Sequence, residues 1–211
     1  MIRVKAEALR YLGYRGQEPD EAAAELIDRG YDELRANAVP KSVHRIAEKS
    51  TVTELLRGES IAKHLAGSDR VIFFAATLGA EADRLIRTAE IRDMAYALVL
   101  DALASAMTEE YCDSIEEELK AAYHGHFTWR FSPGYGDYPI DVQQELIRYL
   151  NAEKLIGLTV TESSILLPRK SVTAVIGISD APQAKGVRGC TTCNLRETCQ
   201  YRKDGTTCGN S

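Results

Sequence analysis

The chain is 211 residues long, 45% hydrophobic and 27% charged, with a formal net charge of −5 at pH 7. The acidic balance gives no electrostatic footing for nucleic acid, whose phosphates want a basic surface, and no apolar run approaches the roughly 18 residues of a membrane span. The opening Met1-Ile2-Arg3-Val4-Lys5 carries no apolar signal core, so the expectation is a cytoplasmic protein whose core serves one domain plus an appendage.

Residues 5–13 and 20–37 read as helices. In the second, Pro19-Asp20-Glu21 puts carboxylates where the helix dipole favours them, and Ile27, Tyr31 and Leu34 share a face at i, i+4, i+7. Residues 42–48 alternate weakly, as a strand does, and 59–66 make a short helix stopped by Gly67. The run Val71-Ile72-Phe73-Phe74-Ala75-Ala76-Thr77 is continuously apolar, the pattern of a strand covered on both faces. After Leu78-Gly79 a long helical tract reaches about residue 122, with an interruption near Ile91-Arg92. Residues 140–151 form another helix, with Gly157 soon after it. Leu158–Leu167 and Ser171–Ser179 are predicted as two strands of one hairpin around Pro168-Arg169-Lys170.

Helices mixed with few, partly antiparallel strands give an α+β class. No Gly-x-Gly-x-x-Gly follows a strand, so a Rossmann-type nucleotide site is not indicated. One domain is expected over residues 1–180, its first part (about 1–68) mostly helical, followed by a tail over 181–211. The tail turns to Gly, Thr, Arg and Cys and has too few apolar residues for a core of its own.

The segment Arg130-Phe131-Ser132-Pro133-Gly134-Tyr135-Gly136-Asp137-Tyr138-Pro139 is a stiff loop. Its prolines fix φ near −65°, and its glycines permit close backbone approach. It offers a fixed positive charge, backbone hydrogen-bonding groups and two aromatic faces, a set suited to a small charged ligand.

Four of the five cysteines, Cys190, Cys193, Cys199 and Cys208, fall within nineteen residues in a Cys-x2-Cys-x5-Cys-x8-Cys spacing. Such spacing lets thiolates converge on a soft metal, and four of them fit tetrahedral zinc or an iron–sulfur cluster equally well by ligand type. Disulfides are the competing explanation, and they need an oxidising compartment. Cys112, inside the long helical tract, reads as a buried core thiol.

Arg130-x-Ser132-Pro133-Gly134-Tyr135-x-x-x-Pro139, then a short helix ending in a glycine, then Leu158-x-x-Thr161-Glu162-Ser163 and a further strand, resembles the reactivation domain of cobalamin-dependent methionine synthase. The resemblance is strongest over roughly residues 98–178, about two fifths of the chain. It implies long helices around a small, partly antiparallel sheet, and a loop that binds S-adenosylmethionine (SAM). It also implies that Arg130, Ser132 and Tyr135 occupy SAM-contacting positions, the middle one alanine in the family, with Gly134 between them. Asp101–Glu109 resembles the family's long helix, making Glu109 a further SAM-binding candidate beside a plain solvated helix face. Tyr138 and Glu162 would lie next to the SAM or corrinoid; loop packing and an edge charge explain them as well. Where the family has Pro-Ala-Cys-Pro, this chain has Gly136-Asp137-Tyr138-Pro139.

The implied activity is reductive methylation of cobalamin carried by a separate corrinoid protein, or by a methionine synthase lacking its own activation domain. An electron donor would be a further partner. Two other classes stay open: a non-catalytic corrinoid-protein-binding or SAM-sensing module with a structural zinc tail, and an iron–sulfur electron-transfer adaptor.

Overall fold

The computed structural model describes residues 2–14 and 16–182, together with 197, 198 and 203. Two helices open the chain, α1 (Ile2–Tyr11) and α2 (Glu21–Asn37). At the acidic start expected for the second, Asp20 also caps it by accepting the Ala23 N–H at 2.8 Å. Then come β1 (Lys41–Glu48), α3 (Glu59–His64), β2 (Arg70–Thr77), α4 (Ala80–Arg92) and α5 (Met94–Ala122). The expected interruption falls at Asp93, whose carboxylate starts α5 by accepting the Tyr96 N–H at 3.0 Å. After β3 (His126–Phe127) and the loop come α6 (Val142–Leu150), α7 (Ala152–Ile156), β4 (Thr159–Val160), β5 (Leu166–Leu167) and β6 (Ser171–Ser179).

One antiparallel sheet runs in the order β1-β2-β6-β3. Side chains alternate across it. Val71, Phe73, Ala75 and Val175 pack with Tyr138 and the apolar face of α6, whereas Ile72, Phe74, Ala174 and Ile176 pack with Cys112, Ile115 and Leu119 of α5. The apolar run of β2 is therefore covered on both faces, and the mixed α+β architecture matches the expectation. A third cluster joins α1, α2 and α4 to the first half of α5.

The hairpin expected between 158–167 and 171–179 does not form. β6 pairs with β2 and β3, while β4 and β5 make a small ladder of their own, closed where the Thr161 N–H meets the Ile165 carbonyl at 2.9 Å. The reason is burial. β6 carries apolar residues on both faces and needs cover on both, which the two-residue β5 cannot supply.

Candidate functional site

The strand edge aims the loop. Phe127 pairs with Ile178 and Phe131 with Val175, so four steps on one side meet three on the other. The extra residue makes a bulge at Thr128, whose N–H donates to the Gly177 carbonyl at 3.0 Å and whose hydroxyl accepts the Gly177 N–H at 2.9 Å. One added residue inverts which side chains face which layer. Phe127 lies in the α5 core and Phe131 against the α6 core, and Arg130 is thereby turned back onto α5.

There the Arg130 guanidinium meets three carboxylates spaced i, i+4, i+7 on one helical face. Nη2 donates to Glu109 at 2.6 Å, and Nη1 donates to Asp113 at 2.7 Å and Glu116 at 3.1 Å. The Arg130 backbone N–H also donates to Glu116, at 3.2 Å. From outside, Arg3 reaches Asp113 at 2.5 Å and Lys120 reaches Glu116 at 3.2 Å, so three cations balance three anions. Side-chain exposure is 15% for Arg130, 10% for Glu116, 29% for Asp113 and 47% for Glu109, which makes Glu109 the solvent-side member. Burial alone lowers the Arg130 pKa, but the bonds to Asp113 and Glu109 outweigh it and hold the guanidinium firmly charged.

The other loop residues have mixed placements. Tyr135 is exposed, its ring edge-on to Phe131 with centroids 5.9 Å apart. Gly134 sits at φ 92° and spends its N–H on the Tyr138 carbonyl at 2.8 Å, while Tyr135 N–H donates to the Ser132 carbonyl at 3.2 Å. The Ser132 N–H keeps no partner among the described residues. Tyr138 is in the core: its hydroxyl donates to the Leu55 carbonyl at 2.8 Å, and burial raises its pKa. Glu162 is exposed on the turn between β4 and β5 rather than in a strand, and its carbonyl accepts from Gln144 at 3.2 Å. The structure thus joins Arg130 to Glu109 and leaves Tyr138 and Glu162 outside that contact.

Sequence reasoning missed what braces the loop. Asp137 accepts the Glu59 and Ser60 N–H groups at 2.8 Å each, capping α3 from across the chain, and those bonds lower its pKa. Gly58 permits the approach: its φ is 112°, and a Cβ there would stand 2.7 Å from the Asp137 carbonyl oxygen. At the other end of α3, His64 Nε2 donates to the Trp129 carbonyl at 2.8 Å, and its ring lies 4.8 Å from that of Phe131. Buried Gln143 ties the Thr-Glu-Ser turn to the sheet, donating to the Ser164 carbonyl at 2.6 Å and accepting from Thr173 at 3.1 Å. Only the Asp in a Pro/Gly-rich loop was a visible signal, and its partner lies 78 positions away.

The family model described as vitamin B12 dependent methionine synthase, activation domain, matches residues 59–201, more than half of the chain. The chain belongs to this family. A crystal structure of the MetH reactivation domain bound to AdoHcy matches with a TM-score of 0.58 and 16% identity, covering 96% of this chain and 83% of that one, a likeness of fold. No curated protein matches the chain. The activation-domain match begins at α3, after α1 and α2, and extends over Cys190, Cys193 and Cys199. These three and Cys208 lie outside the described residues. Among the described residues, no group of three or more His, Cys, Asp or Glu side chains is arranged to hold a metal ion, and no helix is long and apolar enough to cross a membrane.

Proposed function

We propose that this activation-domain protein binds SAM between Arg130 and Glu109 and supports reductive methylation of cobalamin on a corrinoid protein or methionine synthase acting in trans. The observation that carries the reading is the charge-balanced network around Arg130, open to solvent at Glu109. The amino-acid end of SAM is a zwitterion. If Glu109 swings outward to the ligand's ammonium, Arg130 Nη2 is freed for its carboxylate. Two ion pairs then replace one with no charge left over. A guanidinium fork suits a carboxylate, and the exposed Tyr135 ring suits the sulfonium as a cation–π partner.

The residues present therefore fit SAM. When a corrinoid is bound beside the site, its reduced cobalt supplies the nucleophile that takes the methyl group. This chain's part is to hold the sulfonium in line and to exclude water, which needs no general acid or base. In the tail, the four-thiol donor set of Cys190, Cys193, Cys199 and Cys208 suits an iron–sulfur cluster or zinc. Metal analysis of anaerobically purified protein separates these, at about four irons or about one zinc per chain.

Calorimetric titration of SAM into the anaerobic protein tests the reading. Binding is expected in the native chain, lost in Arg130→Ala and weakened about tenfold in Glu109→Gln, the loss of roughly 1.4 kcal/mol from one charged bond. A native chain without affinity for SAM sinks it.

A further inference from the structure

We infer that the free edge of β1 is a self-association surface, on which a second copy of this chain adds its own β1, antiparallel, about a two-fold axis at Ile46. The sheet has two unlike edges. At one, β3 is two residues long and is followed by the bulge at Thr128, devices that blunt an edge. At the other, β1 runs for eight residues in unbroken register with β2.

The Lys49 N–H donates to the Asp69 carbonyl at 2.8 Å, one step beyond the Glu48–Arg70 pair. Hydrogen-bonded pairs alternate along an antiparallel ladder, so Lys41, Val43, Arg45 and Ala47 turn their N–H and C=O groups to β2. Those of Ser42, His44, Ile46 and Glu48 turn outward. Among the described residues, the outward groups have one partner, the Thr51 hydroxyl on the Glu48 carbonyl.

The side chains leave this edge clear. The Arg45 guanidinium lies 4.6 Å over the Tyr149 ring and donates to the Tyr149 carbonyl at 3.3 Å, which draws it back onto α6. Lys49 Nζ is held by the Leu65 carbonyl at 2.9 Å. Val43 and Ala47 pack with the α6 layer, and Ile46 with the α5 layer. Pro40 and Lys41, the residue types that discourage pairing, come before the outward groups and do not interrupt them.

The order of residues fits this strand to its own copy. With the axis at Ile46, that residue meets the partner's Ile46, while His44 meets the partner's Glu48 and Glu48 meets the partner's His44. Each pair exchanges two backbone bonds, and the outer pairs also bring a carboxylate to an imidazole. Both side chains are exposed. The Glu48 carboxylate has no partner among the described residues, and His44 engages only Nε2, with the Tyr123 hydroxyl at 3.2 Å. An axis at Arg45 would set two guanidiniums opposite each other. One at His44 would set Glu48 against the partner's Pro40, which has no N–H to give. The contact at Ile46 is isologous, the form a two-fold dimer requires.

Sedimentation equilibrium of the full chain tests this, under reductant so that thiol cross-links play no part. Dimer is expected at about 100 μM, since an edge contact is small. Glu48→Pro is the telling variant. Glu48 already has a φ of −64° and its N–H faces away from β2, so proline fits the single chain while removing an outward donor and the carboxylate. It should be monomeric at the same concentration, yet melt like the native chain at low concentration. No residue of the Arg130 network lies on β1, so it should also bind SAM as the native chain does. His44→Glu should separate the dimer by opposing two carboxylates, and adding Glu48→Lys should restore it with the charges re-paired. A native chain that stays monomeric overturns the inference; if its His44 and Ile46 amides are nonetheless protected from exchange, the occupant of the edge is the chain's own C-terminal segment. A dimer undiminished by Glu48→Pro overturns it as well, because the contact then lies elsewhere.

Discussion

A guanidinium with only 15% of its side chain exposed, set among three carboxylates, holds two structures together at once. It fixes the loop to α5, and it keeps three acids on one helical face from repelling one another. Removing it leaves those acids facing each other with part of their solvation lost. Arg130→Ala is therefore expected to destabilise the fold, towards the lower end of the roughly 3–5 kcal/mol seen when fully buried pairs are broken. Urea denaturation measures it. Cys112 shows the opposite use of burial. Desolvation raises its thiol from 9.0 to about 12, so above pH 9 the unfolded chain loses a proton that the folded chain keeps. Stability then falls as pH rises from 9 towards 12. Denaturation midpoints should decline along that limb, and Cys112→Ala should flatten its first part, before Tyr11 and Tyr138 add their own losses above pH 10. A native thiol slow to react with a disulfide reagent is the companion result.

At the scale of elements, the loop takes its shape less from its own prolines than from α3, which holds it at Asp137 and at Trp129 and Phe131. Gly58→Ala meets two obstacles, a φ of 112° and the Asp137 carbonyl oxygen 2.7 Å from the new Cβ. The cap has to separate, so Glu59 and Ser60 amides should exchange faster and SAM affinity should fall. Asp137→Ala should do the same through its lost bonds. Because those bonds hold the Asp137 pKa below its ordinary 3.8, the cap is complete above that value and weakens only as pH falls through the lowered one. What was legible here was local: the acidic start of α2 and the stiffness of residues 130–139 need only neighbouring residues. The α3 brace joins residues 77 and 78 positions apart. The bulge at Thr128 depends on a count between two strands that no single segment contains.

At the scale of the molecule, two-sided burial was readable in the unbroken apolar run of β2, and it also shows why the hairpin expectation failed. The turn at Pro168-Arg169-Lys170 looked local, but β6 was claimed by the sheet centre, where both of its faces find cover. The candidate site inherits this arrangement, because Phe131 belongs to one layer while Arg130 bonds the helix of the other. Phe73 and Phe74, both fully buried, face opposite layers from adjacent positions. Truncating either to alanine should cost roughly 3–5 kcal/mol. The double variant should be additive within about 0.5 kcal/mol if the layers are independent, whereas Phe73 and its same-face partner Val175 should show coupling. Yet either single change should weaken SAM binding, Phe73→Ala by loosening the support of Phe131 and Phe74→Ala by loosening α5 beneath Asp113 and Glu116. Urea denaturation with SAM titration on the same variants separates the two effects. Additive stability with a shared loss of affinity is what a site built across the edge of a two-faced sheet requires, and retained affinity in either variant would place the ligand on one layer alone.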